Sequence, residues 1–409
     1  MHIGIAGPLA TSDIEHLLDG DTQHLPREMK GATLLATLIA ALLKAGHQVS
    51  AYTTDGSLQP HPDNHVIASG PRLKIHYVPL RRRGFRGDRG TRGRMLDFFA
   101  LERRALAAAM RRDPPDIVHA HWSYEFALAA QDSGIPYLLT CHDAPWTILR
   151  IQSDLYRLGR LWMARQALAR TQHATVVSPY LIDELKRMTQ AELHVVPNPI
   201  PEQLFALGQP RTAPRPAPRL AMLLSDWSDR KNPKPAMLAM QNVRQRHPEA
   251  SMHLFGSGYG PGEAAEQWVR QQGLGEAFVF HGWTAHAEAM RQLADMDLLV
   301  HPAIEESFGM TLGEAMALGL PVVAGRDSGA VPWVLGGNDG GGQLVDVRSS
   351  EEIAAGILAL LDDAERYASC SRRGLHLASE RFAPDAVARA YVERYQQALF
   401  GKSSIAKAA

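Results

Sequence analysis

The sequence predicts an α/β protein built from two doubly wound parallel-sheet domains. Three observations carry that expectation. First, a short apolar run, His2–Ala6, is followed by a helix-forming stretch, Thr33–Leu43, and a second apolar run, Val49–Thr53. Strand, helix, strand is the repeating unit of a parallel sheet. Second, the same order recurs near the other end: Asp297-Leu-Leu-Val-His301, then Met310–Leu318, rich in Ala, Met and Leu, then Pro321–Gly325. Third, a Pro-rich stretch, Gln209–Pro218, divides the 409 residues into two parts, each long enough for its own core. The expected organisation is a first domain over 1–205, a linker over 206–219 and a second domain over 220–381. A last helix, 382–400, and a tail, 401–409, complete it.

Composition narrows the function. Apolar residues make up 45% and charged residues 21%, ordinary for a soluble globular protein. The formal net charge is zero, so no global field favours nucleic acid or membrane. Two cysteines, Cys141 and Cys370, point to a reducing compartment rather than a disulfide framework. Met1-His-Ile-Gly-Ile-Ala-Gly7 reads as a first strand and not as a signal peptide. No run approaches the ~20 apolar residues of a membrane helix. A cytoplasmic location is expected.

Along the chain, Gly7-Pro8 ends the first strand, 11–28 is a long polar loop, and Lys30-Gly31-Ala32 opens the first long helix. Seven arginines then fall between 81 and 94 (Arg81, Arg82, Arg83, Arg86, Arg89, Arg92, Arg94), interleaved with glycines and a single acid, Asp88. That is a flexible cationic loop suited to an anionic membrane face or a lipid-diphosphate acceptor. Asp116–Trp122 and Tyr137–Asp143 are strands with polar tips at one carboxyl edge of the sheet. His142, directly after the second, is a candidate site residue, while His119 and His121 read as structural. Ser178-Pro179 signals a helix start, with Ser as N-cap.

The second domain opens with Leu220–Leu224, then Ser225-Asp-Trp-Ser-Asp-Arg230-Lys231-Asn232-Pro233 before an apolar helix. Met252–Gly262 carries a G-x-G turn at Gly256, but the third glycine of a dinucleotide fingerprint falls on Pro261, so no nicotinamide site is read there. Val279–Trp283 ends another strand. Asp295-Met-Asp297 precedes a buried strand and is read as structural rather than metal-binding.

The stretch 301–325 is the functional centre. Its loop carries Glu305, Glu306 and Ser307, and a helix begins after Gly309. In a parallel sheet this loop lies at the carboxyl end of a strand, where open α/β sheets bind ligands. The helix N-terminus near Phe308–Thr311 offers amides and partial positive charge to a phosphate. Glu306 and Glu314, eight positions apart, accept hydrogen bonds from hydroxyls. Phosphate flanked by hydroxylated rings describes a nucleotide sugar.

Glu306-Ser-Phe-Gly-Met-Thr-Leu-Gly-Glu314, continued by Ala315-Met-Ala-Leu-Gly-Leu-Pro-Val-Val323, resembles the E-x7-E element of retaining GT-B glycosyltransferases of the group 1, or family 4, type. Thr140–Trp146 and Val195-Val-Pro-Asn198-Pro-Ile200 are also similar to the family, and the resemblance is more specific in 220–335 than in 1–115. It implies two Rossmann-like domains facing a central cleft, with the last helix crossing back to the first. Glu306 would lie beside the donor sugar and reaction centre, and Glu314 would hold the ribose hydroxyls. Ser307, Phe308, Gly309, Met310 and Thr311 would meet the donor. Lys231 would grip the diphosphate. Where many members carry a further Arg this chain has Ser225, and Arg230 is the candidate substitute. His142 would lie near the donor sugar and acceptor hydroxyl. Gly31 stands where the family has a glycine pair near the phosphates or acceptor. Gly256 belongs to the G-x-G turn, and Trp283 ends the strand where the base is seated.

The expectation is therefore a metal-independent, retaining hexosyltransferase that uses a UDP- or GDP-sugar and no cofactor. The acceptor would be a saccharide or lipid-linked, in polysaccharide or glycolipid assembly. Peripheral contact with the inner membrane face would run through loop 81–94, with no role for nucleic acid. Two other readings share the architecture: a nucleotide-sugar 2-epimerase and a nonenzymatic nucleotide-sugar-binding protein.

Overall fold

The computed structural model describes residues 1–29, 33–61, 63–88 and 90–401. The chain forms two compact units: Met1–Pro199 together with the chain from Pro384, and Ile200–Ala383.

The first unit is built on an eight-stranded sheet. Its strands are β1 (His2–Ala6), β2 (Gln48–Asp55), β3 (Val66–Gly70), β4 (Leu73–Pro79), β5 (Ile117–His121), β6 (Tyr137–Cys141), β7 (Ala174–Val176) and β8 (Leu193–Val195), in the order β3-β4-β2-β1-β5-β6-β7-β8. All neighbours are parallel except the edge pair β3–β4. The central strands are buried on both faces because helices cover them; all five residues of β5 are buried, its two histidines included. The Pro384–Phe400 helix belongs to this unit, packing on the Thr33–Lys44 helix and β6. Val387, Ala388, Tyr391 and Tyr395 form its buried face, at helical spacing.

The second unit has six strands, all parallel: β9 (Arg219–Leu223), β10 (Ser251–Phe255), β11 (Phe278–Gly282), β12 (Leu298–His301), β13 (Val322–Gly325) and β14 (Gly342–Val345). Their order is β11-β10-β9-β12-β13-β14. Counted within the unit this is 3-2-1-4-5-6, the doubly wound nucleotide-binding order. Leu220, Met222, Leu254, Leu298, Val300 and Val323 fill its core. The order reverses between β9 and β12, so the loops after these strands, 224–232 and 302–309, flank the switch point.

The change of unit falls at Pro199–Ile200, ahead of the Pro-rich stretch expected to be a linker. Residues 209–218 pack on the second unit. Extended Pro-rich chain makes no hydrogen bonds within itself, so its donors reach outward. Arg211 donates to the carbonyls of Met296 and Ala294 at 2.5 and 2.7 Å, and its amide donates to Ser371 Oγ at 2.8 Å. Arg215 and Arg219 pair with Asp295 at 2.8 and 2.6 Å, and the Arg219 amide binds Asp297 at 2.8 Å. Asp295 and Asp297 thus tie this segment down. The second break falls at Ala383–Pro384, and of the tail only Gly401 is described.

The arginine cluster is partitioned. Arg81 is buried against Glu102 at 2.6 Å and Asp97 at 2.8 Å. Arg94 donates to the Arg81 carbonyl, and Arg82 pairs with Glu28. Arg83, Arg86 and Arg92 are exposed, and Arg89 lies outside the described residues. The helix after Ser178 starts at Tyr180, with Pro179 as N-cap instead of Ser178. Among the described residues no helix is long and apolar enough to cross a membrane.

Candidate active site

The two loops at the switch point of the second unit bring Lys231 and Glu306 together. Lys231 lies just before the Pro233–Arg246 helix, in a tight turn: its amide and that of Asn232 both donate to the Ser228 carbonyl at 3.0 Å. Asn232 has φ 51°, and its side chain donates to the carbonyls of Pro302 and Val347 at 3.0 and 2.8 Å. The Ile304 amide donates to the Arg230 carbonyl at 3.0 Å. These bonds stitch the lysine loop to the glutamate loop.

Lys231 Nζ lies 2.5 Å from Glu306 Oε1, and His301 Nε2 lies 3.1 Å from the same oxygen. All three residues are buried. Burial works to raise the Glu306 pKa, but Lys231 and His301 outweigh it and hold the carboxyl well below its ordinary value. Glu306 is therefore ionised throughout the physiological range. An ammonium has three donors; one goes to Glu306, which aims the group and leaves two for a ligand. His301 is the last residue of buried β12 and His142 directly follows β6, so each stands at the carboxyl edge of its own sheet.

Gly309 is the N-cap of the Met310–Ala317 helix, at φ 81°, and no side chain caps the helix. A Cβ at Gly309 would sit 2.8 Å from Leu312 Cδ1, and an L side chain is strained at this φ. Ser307, Met310 and Thr311 are partly exposed around this end. The Phe308 ring is buried edge-on to Phe382 at 5.2 Å, so it anchors the loop and has only its backbone to offer a ligand. Glu314 lies further along the helix, 3% exposed, with His286 Nε2 2.7 Å from its Oε1. No local signal in the sequence pointed to His286, which opens a separate helix.

Arg230 turns to Glu305, with Nη1 3.3 Å from the carboxylate and 3.4 Å from the carbonyl. Glu305 is itself buried and accepts from Ser307 Oγ at 3.3 Å. Gly256 is required by packing: at φ 124°, a Cβ would lie 1.8 Å from the Leu224 carbonyl oxygen. Its amide donates to Gly282, and the amides of Gly258 and Gly260 both donate to Glu263 at 2.9 and 2.7 Å. The amides of these three glycines are thereby taken internally. Trp283, after Gly282 at φ 70°, is more than half exposed.

In the first unit, His142 stands at the end of β6, buried and stacked on Trp122 at 4.3 Å. Its Nε2 lies 2.9 Å from His121 Nδ1. His119 bonds Tyr395 OH at 2.7 Å and Thr140 Oγ1 at 2.6 Å. Burial pushes the His142 pKa down to about 3 and those of His119 and His121 well below the usual histidine value. All three are neutral at physiological pH. His121 Nε2 is buried with no hydrogen-bond partner. An unpaired buried N–H costs more than a bare lone pair, so His121 donates from Nδ1 and His142 carries its proton on Nδ1. His142 is then a donor, suited to a sugar oxygen. Gly31 lies outside the described residues. Among the described residues no group of three or more His, Cys, Asp or Glu is placed to hold a metal ion.

Residues 31–204 match the family described as Glycosyltransferase Family 4, and residues 211–376 match the Glycosyl transferases group 1. The chain belongs to the group 1 glycosyltransferases, with the GT-B fold. The lipopolysaccharide core biosynthesis mannosyltransferase LpsB of Rhizobium meliloti is 32% identical over 166 residues, 39% of this chain and 46% of that protein. The chain thus matches less than half the length of that relative. Glycogen synthase of Mycobacterium tuberculosis is 26% identical, covering 83% of this glycosyltransferase and 84% of the synthase. Sucrose-phosphate synthase from Thermosynechococcus elongatus shares the fold at 17% identity and TM-score 0.73, covering 97% of this chain and 98% of that one. A HepE structure from Anabaena, solved with UDP and glucose, superposes at TM-score 0.65 and 18% identity, over 96% and 98%.

Proposed function

We propose that this glycosyltransferase moves a hexose from a UDP- or GDP-linked donor to an acceptor hydroxyl, with retention and without a metal ion. The observation that carries the reading is the buried Lys231–Glu306–His301 group beside an uncapped helix N-terminus at the switch point of the second unit. Negative charge grows on the departing diphosphate, and a fixed ammonium and helix amides stabilise it in place of a divalent cation. Glu306, ionised, serves two roles: it orients Lys231 and offers an oxygen to the donor sugar. Glu314, steadied by His286, accepts from the ribose hydroxyls. His142 in the first unit donates to a sugar oxygen from Nδ1. Arg230, engaged by Glu305, has a secondary role.

Relatives named for lipopolysaccharide core and glycogen synthesis support a place in polysaccharide or glycolipid assembly. Buried free Cys141 and Cys370 fit a reducing, cytoplasmic setting. Incubation of purified protein with UDP- and GDP-sugars, with acceptor and EDTA present, tests the proposal. Free nucleotide with a glycosylated acceptor of retained configuration is expected. A released epimer would establish the epimerase instead, binding without turnover a sensor, and loss of activity in EDTA a metal requirement.

A further inference from the structure

The first unit carries a helix with two apolar faces where a surface helix needs one. On Leu155–Ala169, Leu161, Ala164 and Leu168 are buried. Leu155, Leu158 and Trp162 are 72%, 52% and 45% exposed, and their i, i+3, i+7 spacing places them along one stripe. The cationic loop lies beside that stripe. A Cβ at Gly84 would meet the Tyr156 ring at 3.2 Å, and one at Gly159 would meet Met95 Sδ at 2.5 Å. Phe98 packs on Trp162 with ring centroids 4.2 Å apart. The same segment adds exposed Leu96 and Phe85.

The charge on this face is unmatched. Arg81, Arg82 and Arg94 are used internally, whereas the exposed Arg83, Arg86 and Arg92 side chains make no ion pair or hydrogen bond among the described residues. The whole chain is neutral, so this excess is local. We propose that the 155–162 stripe, together with Phe85, Leu96 and the outward Arg83, Arg86 and Arg92, forms a docking surface for an anionic lipid bilayer. Leucine and tryptophan enter the headgroup boundary, and the guanidinium groups meet lipid phosphates. A second copy of the chain fits less well, since a two-fold contact would set the same arginines against each other. The Pro145–Ile151 helix, which packs on this helix, begins three residues after His142 and exposes Trp146. Docking would therefore bring the His142 edge close to lipid-borne hydroxyls. That last clause rests on the acceptor reading above; the docking surface does not.

The test is flotation of the full chain with phosphatidylcholine vesicles, with and without about one-third phosphatidylglycerol. Binding only to the anionic vesicles is expected, falling away by about 0.5 M salt as charges are screened. Each arginine near the surface is worth about fivefold in partitioning, so the R83E/R86E/R92E variant should bind at least ~100-fold more weakly. The L155S/L158S variant should lose about tenfold through lost apolar burial, with its circular dichroism, melting temperature and nucleotide affinity unchanged. Nucleotide affinity measured in parallel reports the donor site independently. Absence of flotation, equal binding to neutral vesicles, or indifference to both variants would overturn the proposal. So would a dimer that L155S/L158S converts to monomer without any vesicle binding, which would make the face a contact between copies.

Discussion

Removing Lys231 should do two separable things, and a double-mutant cycle can tell them apart. The Lys231 and Glu306 side chains are 9% and 11% exposed with 2.5 Å between charged atoms, so they fall in the buried regime rather than the solvent-screened one. Lys231→Met leaves a buried carboxylate with only His301 and should destabilise the second unit by about 3–5 kcal/mol. Glu306→Gln strands the ammonium and should cost a similar amount. With both changed no charge is left unpaired, so the double variant should recover most of the loss, with a coupling energy above about 2 kcal/mol. Turnover should behave differently. Loss of one preorganised cation at the leaving group lowers kcat by about 10²–10³-fold, and restoring stability does not restore it. Hydrogen exchange in β9 and β12 against urea reads the stability of this unit, and nucleotide release at saturating donor reads turnover. Additivity within about 0.5 kcal/mol, or a double variant that turns over normally, would refute the pairing and its role.

Three further outcomes are expected. Glu314→Gln should weaken nucleotide binding about 10- to 100-fold by calorimetry, the worth of a hydrogen bond to a charged group, with kcat at saturating donor little changed. Gly309→Ala, forced to φ 81° with its Cβ against Leu312, should destabilise by about 1–2 kcal/mol and reduce donor affinity in the same titration. The third concerns acid. The folded pKa values of His119, His121 and His142 lie below that of a free histidine, so below pH ~6.5 the unfolded chain binds more protons. Stability should then fall with falling pH from about 6.5 towards 3, by up to about 1.4 kcal/mol per pH unit for each histidine. Glu306 adds nothing until the pH falls to the ordinary carboxylate range; below that, the stability secured by its depressed pKa is progressively lost as well. Urea unfolding of the first unit at pH 7, 6 and 5 checks this; a flat profile would show that these rings protonate freely when folded.

Local patterning determined a good deal of this protein. The alternation of apolar runs with helix-forming stretches specified two parallel-sheet units. The eight-residue spacing of Glu306 and Glu314, a glycine at the helix entry and His142 at a strand end marked the candidate site, because each is a pattern set within a few residues. Only the tertiary structure decided which charges meet. Lys231 and Glu306 are 75 positions apart, and their pairing depends on the strand order that makes β9 and β12 neighbours. His286 reaches Glu314, and Tyr395 reaches His119 across 276 positions, by the same kind of long-range packing. Among the described residues, folding also split six similar arginines into internal braces and outward charges, and it tied the Pro-rich stretch to the second unit. A residue's type states what it can bond to; distance and desolvation select the partner, and both are properties of the folded chain.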